Sequence, residues 1–90
     1  MKSNVYAVRD NLCGIYLPPT IGDNDAAITR AFGDVATKGG TPIGDHPEDY
    51  TLEKIGEFDN ETGVLVALPT PQILCHASDF VKKPIPENKE

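Results

Sequence analysis

Cysteine is scarce in this chain, which excludes the fold classes that depend on it. Only two of the 90 residues are cysteines, Cys13 and Cys75. Two thiols are too few for a disulfide framework, and these two lie too far apart in the chain for a Cys-x-x-Cys redox pair. We therefore expect reduced cysteines, as is usual for a cytoplasmic protein.

Long apolar runs are missing as well. The longest, at residues 64–68, has the length of a strand, whereas a membrane-spanning helix needs about 20 apolar residues. The N-terminal segment carries Arg9 and Asp10 where a secretory signal would be apolar. The expectation is a soluble protein that is not secreted and has no membrane partner.

Positive charge is the third deficit. The chain has 8 lysines and arginines against 14 aspartates and glutamates, a formal net charge of −6. Such a molecule repels phosphate backbones and anionic lipids as a whole. An extended basic surface for nucleic acid is therefore not expected.

The composition that remains is that of a small folded protein. Apolar residues make up 39% of the chain and charged residues 24%, which is typical of globular proteins and not of disordered ones. A chain of this length supports one modest core. We predict one domain over residues 1–81 and a flexible Lys/Pro-rich tail, KKPIPENKE, over residues 82–90.

Two hairpins and a helix are predicted along the chain. Residues 3–9 are rich in β-branched and aromatic side chains, and residues 12–17 read as their hairpin partner. Pro18 and Pro19 are expected to end the pairing, so that the chain leaves the sheet. Residues 50–58 and 64–68 form the second predicted hairpin, with Pro69 and Pro71 ending it and residues 73–75 as a short edge strand.

Between residues 23 and 38 the apolar period changes to that of a helix, with one apolar face made of Ile28, Ala31, Phe32 and Val35. Asp23 or Asn24 is the expected N-cap, and Gly39 and Gly40 the exit. Because glycine is unfavourable inside a helix, Gly33 indicates the close approach of another backbone.

Two local details of the second half are also predicted. Asp45 and Glu48 have the spacing of a capping box around a short helical turn that starts at residues 46–47. In the strand at residues 50–58, simple alternation places Tyr50, Leu52 and Phe58 on one face and Ile55 on the other. Either both faces are partly covered or Gly56 marks a bulge that resets the register, and we favour the bulge. The predicted fold is α+β: a β-β-α-β-β antiparallel sheet, one helix packed on one face, and a short C-terminal edge segment.

Catalytic and metal-binding patterns are weak. Cys13, Cys75, His46 and His76 lack the paired spacing of zinc sites. Carboxylates at Asp45, Glu48 and Asp49, or at Asp59 and Glu61, would suit Mg²⁺ in a nuclease, but solvated turns and caps account for most such groups. The chain also lacks a G-x-S-x-G nucleophile motif. We expect no enzyme activity, no catalytic residues, no metal and no cofactor.

Aromatic and basic side chains form the candidate contact set. Tyrosines and phenylalanines on an open sheet stack single-stranded bases in several folds, although core packing is the commoner role. Lysines and arginines near them would meet phosphates. The set is Tyr6, Arg9, Tyr16, Arg30, Tyr50, Lys54, Phe58, Lys82 and Lys83.

One long run of residues carries a family resemblance. Residues 46–63, HPEDYTLEKIGEFDNETG, resemble the signature of the small nonstructural protein of gokushoviruses, the tailless single-stranded-DNA microviruses that include the chlamydia phages. The matching order continues upstream in Tyr6-Ala7-Val8-Arg9-Asp10, Pro18-Pro19, Asn24-Asp25-Ala26 and Arg30-Ala31-Phe32. The chain departs from the family at Glu53, where an aromatic is frequent, and at residues 34–44.

The resemblance implies a noncatalytic viral protein made in the cytoplasm of the infected bacterium and absent from the capsid. Members are described as DNA-binding or as acting in the switch from genome replication to packaging. We rank three hypotheses. The first is an adaptor that uses strand edges and the exposed half of the sheet to bind phage or host replication and packaging proteins, or a second copy as a homodimer. The second is a single-stranded DNA binder, and the third, which rests on Asp45, Glu48 and Asp49 and not on the resemblance, is a metal-dependent nuclease. A contiguous basic strip beside the tyrosines would favour DNA binding.

Overall fold

The computed structural model describes residues 1–81. Five strands and one long helix account for most of them, and short helical turns connect the rest. The elements are β1 (Lys2–Asp10), β2 (Ile15–Tyr16), β3 (Thr20–Gly22), α1 (Asp25–Ala36), α2 (Pro42–Asp45), a 3₁₀ turn (Pro47–Asp49), β4 (Tyr50–Asp59), β5 (Leu65–His76) and a second 3₁₀ turn (Ala77–Phe80).

The strands form one antiparallel sheet. β1 and β4 lie side by side in its centre, β5 flanks β4, and β2 and β3 both pair with the outer side of β1. This arrangement confirms the predicted α+β class with one main helix. In the described part of the chain no helix has the length and hydropathy needed to cross a membrane.

The edge formed by β2 and β3 differs from the prediction. Pro18 and Pro19 do not send the chain out of the sheet, because Thr20, Ile21 and Gly22 return to pair with β1. The prolines lie between two short pairings at an edge, where their missing N–H groups cost no ladder hydrogen bond. β2 is only two residues long because residues 11–14 form a turn that Gly14 completes at a φ of 74°.

The opposite edge also departs from the prediction. Pro69 and Pro71 do not end the strand: Ala67 pairs with Gly56 and Gln72 pairs with Lys54, so residues 68–71 bulge out within β5. The predicted strand at 64–68 and the edge segment at 73–75 are thus two halves of one element. An edge strand tolerates such prolines because one of its sides has no neighbour to receive a hydrogen bond.

The predicted bulge in β4 is confirmed. Val5 pairs with Gly56 but the next residue of β1 pairs with Lys54, so that Ile55 is the extra residue. A Cβ at Gly56 would lie 2.6 Å from the carbonyl oxygen of Val66, which explains the glycine. The inserted residue reverses the alternation, so Phe58 faces the side of the sheet opposite to Tyr50 and Leu52, and the placement of all three on one face was wrong.

Helix α1 begins and ends inside the predicted range. The side chain of Asn24 caps it by accepting hydrogen bonds from the backbone N–H groups of Ala26 and Ala27, at 2.8 and 3.1 Å. The buried face is rotated from the prediction: Phe32 and Ala36 are buried, whereas Val35 is 37% exposed. Ala31 is exposed as well.

The buried cluster lies between α1 and one face of the sheet. Its members are Tyr6, Phe32, Ala36, Tyr50, Leu52 and Ala77. The second 3₁₀ turn enters this cluster through Ala77 and Phe80, and that turn explains the rotation of α1, since the helix packs against both the sheet and the turn.

The predicted capping box at Asp45 and Glu48 is wrong. Asp45 ends α2, and its Oδ1 accepts a hydrogen bond from the backbone N–H of Gly40 at 3.0 Å. Thr41 caps α2 instead, accepting from the N–H of Gly44. The predicted short helical turn does follow, at Pro47–Asp49, but with no side-chain cap.

Gly33 marks a close approach, as predicted, although the neighbour is a side chain and not a backbone. A Cβ on Gly33 would lie 2.6 Å from Cδ1 of Phe80. The ring of Phe80 also meets Phe32 edge to face, with centroids 6.4 Å apart. The absence of a side chain at Gly33 lets this ring lie against the helix.

Gly33→Ala should therefore destabilise the protein by about 1–3 kcal/mol through overpacking, although alanine is worth about 1 kcal/mol more than glycine in an unconstrained helix. Urea unfolding measures the difference. In a Phe80→Leu background, where the ring is absent, Gly33→Ala should destabilise the protein much less. A more stable Gly33→Ala single variant would contradict the packing.

Candidate interaction surface on the open sheet face

The two faces of the sheet differ in what covers them. α1 and the helical turns pack against the face that carries Tyr6, Leu52 and Tyr50, which we call the covered face. The residues that alternate with these point the other way. In the part of the chain that the structure describes, this second face, the open face, contributes nothing to the core beneath the helix.

The strand register orders the open face into four cross-strand rows. One end is polar, and the other end is mostly apolar. From the polar end, the rows are Tyr16, Arg9, Thr51 and His76; then Ala7, Glu53 and Ile73; then Ile21, Val5, Gly56 and Ala67; and finally Ser3, Phe58 and Leu65. We call the first the polar row and the last two the apolar rows.

The polar row is linked by side-chain contacts. The guanidinium of Arg9 lies over the ring of Tyr16, 5.2 Å from its centroid, and Nε of Arg9 donates to Oδ1 of Asn11 at 3.1 Å. Asn11 in turn donates to Oγ1 of Thr51 at 2.7 Å. Oγ1 of Thr51 lies 3.2 Å from Nδ1 of His76. These contacts hold the charge of Arg9 at one end of the face.

Glu53 lies at the boundary between the polar and apolar rows. It is 5% exposed, and the hydroxyl of Tyr16 donates to its Oε1 at 2.7 Å. The hydrogen bond to this carboxylate raises the pKa of Tyr16. Sequence reasoning missed Glu53 as a site residue; the available signal was an acidic residue in the middle of a predicted strand.

The apolar side chains at the two edges of the open face are exposed, whereas Val5 and Ala7 in its centre are buried, at 4% and 3% exposed. Ile21 is 54% exposed, Ile73 57% and Leu65 64%. Ile21 lies on β3 at one edge of the sheet, and Ile73 and Leu65 lie on β5 at the other. Single exposed apolar residues are ordinary, whereas several on one face are typical of contact surfaces.

The structure brings only part of the predicted contact set to this face. Arg9, Tyr16 and Phe58 lie on it. Tyr6 is fully buried and Tyr50 is 9% exposed, both in the core, so neither ring offers a surface on which a base would stack.

The other predicted basic residues lie elsewhere. Lys54 is on the covered face, with Nζ 3.0 Å from Oδ2 of Asp25. Arg30 is an exposed residue of α1, and Lys82 and Lys83 lie outside the described residues. Within residues 1–81, therefore, the basic side chains do not form a contiguous strip beside the tyrosines.

Lys54 pairs with Asp25, a residue that links α1 to the sheet. Its carboxylate accepts hydrogen bonds from the hydroxyl of Tyr6 and from Nδ2 of Asn4, both on β1, and pairs with Lys54 on β4. These contacts join the first turn of α1 to the two central strands. The hydrogen bonds from Tyr6 and Lys54 lower the pKa of Asp25, and burial raises the pKa of Tyr6.

The residues considered for metal binding do not all lie together in the described structure. His46, Glu48 and Asp49 have ligand atoms within 4.8 Å of one another on an exposed turn. Asp45 instead binds the backbone of Gly40. Among the residues that the structure describes, Cys13, Cys75, His46 and His76, which were considered as zinc ligands and set aside, do not appear as one group. The cluster at residues 46–49 is a surface group of the kind that acidic proteins carry without an ion.

These features define a class: small α+β domains in which one helix covers one face of an antiparallel sheet and the other face stays open. The family model described as Phage ORF5 protein matches residues 3–80. The chain therefore belongs to the Phage ORF5 protein family. No curated protein and no solved structure matches it.

The contacts of Asp25 predict a pH-dependent stability. Because the folded-state pKa lies below the ordinary value of 3.8, the stabilisation is present in full above about pH 5 and is lost as the pH falls through the folded pKa. Asp25→Asn should reduce the free energy of unfolding at pH 7 by about 1 kcal/mol or less, since the carboxylate is partly exposed. The deficit should shrink towards pH 3.

Urea unfolding at pH 7 and pH 3 checks this, with Asp34→Asn as the control. Asp34 is an exposed carboxylate of the same helix, and its substitution removes a negative charge near the helix C-terminus, so no loss of stability is expected. Equal deficits for Asp25→Asn at both pH values would contradict the assignment.

Proposed function

We propose that this phage protein is a noncatalytic nonstructural protein of the gokushovirus type that acts as an adaptor. It binds phage or host proteins of genome replication and packaging in the cytoplasm of the infected bacterium. The family match supports a phage protein, and the motif run at residues 46–63 supports the finer assignment. The open face is the contact surface.

The observation that carries the proposal is the exposed apolar part of the open face. Ile21, Ile73 and Leu65 are each more than half exposed at the edges of the open face, whose central residues Val5, Ala7 and Thr51 are buried. Burying apolar area of this kind against a partner contributes about 25 cal/mol per Å² before the costs of association. A protein partner supplies matching apolar side chains.

Charge also favours a protein partner. In the four rows, Arg9 is the one lysine or arginine, and Glu53 lies in the next row. The net charge of −6 adds a repulsive field around any phosphate. An open face with these groups is a poor surface for a nucleic-acid backbone.

Direct binding of single-stranded DNA is the second candidate, and one observation favours it. Tyr16 is 40% exposed beside the guanidinium of Arg9, and an aromatic ring next to an arginine is a common platform for a base.

Ile73→Gln tests the adaptor. Its matched control is Val66→Gln, since the two side chains are 57% and 56% exposed on the same strand but belong to opposite faces. Each protein encoded by the same phage genome, and each host replication protein, is immobilised and titrated with the three forms. We expect at least one partner, with binding about tenfold weaker for Ile73→Gln and unchanged for Val66→Gln. No partner, or equal effects of both substitutions, would contradict the proposal.

Fluorescence anisotropy with a labelled single-stranded oligonucleotide at low salt tests the second candidate. The adaptor proposal predicts no change on adding the protein. A rise that falls steeply with salt and is lost in Tyr16→Ala would instead assign DNA binding to Tyr16 and Arg9.

A further inference from the structure

Glu53 is an uncommon residue for an open sheet face. It is a carboxylate that is 95% buried, because its exposed fraction is 5%. In residues 1–81 its one hydrogen-bond donor is the hydroxyl of Tyr16, which reaches Oε1 and leaves Oε2 without a donor. Buried carboxylates are normally paired with a cation or fully hydrogen-bonded, because the loss of hydration is otherwise uncompensated.

The described part of the chain supplies no cation to it. The ion pairs join the N-terminus to Asp59 and Glu61, and Lys54 to Asp25. Lys54 belongs to the other face of the sheet. Arg9, in the neighbouring row, is directed to the ring of Tyr16 and to Asn11.

The side chains around Glu53 define which kind of ligand could pair with its carboxylate. On its own row the neighbours are Ala7 and Ile73, the latter exposed. The apolar rows begin immediately beyond. A ligand that pairs with the carboxylate must therefore also present apolar groups on one side, which a polypeptide does and a hydrated metal ion or a free amine does not.

We propose that Glu53 is the anchor for a lysine or arginine side chain of the partner protein, in a segment whose apolar side chains cover the apolar rows. This inference rests on the proposed function and names the chemistry of the partner. The charge of −6 attracts a basic segment and disfavours a second copy of this chain. The low local dielectric around a buried carboxylate strengthens the pairing.

The first experiment selects peptides from a yeast-displayed random dodecapeptide library on the wild-type protein. We expect selected peptides to be enriched in lysine or arginine next to leucine, isoleucine or phenylalanine. Their affinities should fall at least about tenfold for Glu53→Gln. The control is Glu57→Gln, a half-buried glutamate of the same strand on the covered face, which should bind as the wild type does.

The stability of the free protein gives a second readout. A merely structural Glu53 would make Glu53→Gln less stable, whereas an anchor left without its cation makes the neutral variant at least as stable, because an unpaired buried charge is removed. We expect an equal or higher Tm for Glu53→Gln together with weaker binding. A lower Tm with unchanged binding would overturn the proposal.

The remaining outcomes separate the two proposals. If a partner protein is lost in Ile73→Gln but retained in Glu53→Gln, the adaptor stands and the anchor is wrong. Selected peptides without enrichment in basic residues, or no selected peptides, would likewise overturn the anchor. A dimer in light scattering that Ile73→Gln dissociates would make a second copy the occupant and would also overturn it.

Discussion

One helix has to cover a sheet that is four strands wide, and it covers one side of it. α1, with 12 residues, is about 18 Å long, so it covers part of one face and leaves Val66 on that face 56% exposed. Asp25 joins the helix to that face through its contacts with Tyr6 and Asn4 of β1 and Lys54 of β4, while the apolar cluster beneath the helix holds it there. Once α1 is held there, the residues alternating with Tyr6 and Leu52 lie on the open face.

The sequence predicted correctly the features that depend on residues close in the chain, and it failed for features that depend on elements packed nearby in the fold. The cap at Asn24 and the bulge at Gly56 depend on residues whose side chains, or lack of them, act nearby. β5 continues through Pro69 and Pro71 because it lies at an edge of the sheet, and the local sequence does not reveal that position. The exposure of Val35 depends on the Ala77–Phe80 turn packing beside the helix.

The candidate site shows the same division. The proximity of Arg9 and Tyr16 follows from a hairpin that the sequence predicts. Phe58 reaches the open face only because Ile55 is inserted, so its face is settled by a one-residue shift. Glu53 alternates with Leu52 on a predicted strand, but its burial results from the neighbouring strands and from Tyr16, and no local pattern contains that information.

The adjacent residues Glu53 and Lys54 differ in whether their charges are paired within the described residues. Lys54 neutralises Asp25 on the covered face and thereby stabilises the packing of α1, while the adjacent Glu53 has no such partner in the described residues. A sheet selected for stability alone would place an apolar residue there, as removing buried charge is often neutral or stabilising. In the anchor proposal, a carboxylate beside exposed Ile73 costs stability in the free protein and gains affinity when a cation arrives. That cost is the physical reason for which we propose a recognition role for Glu53.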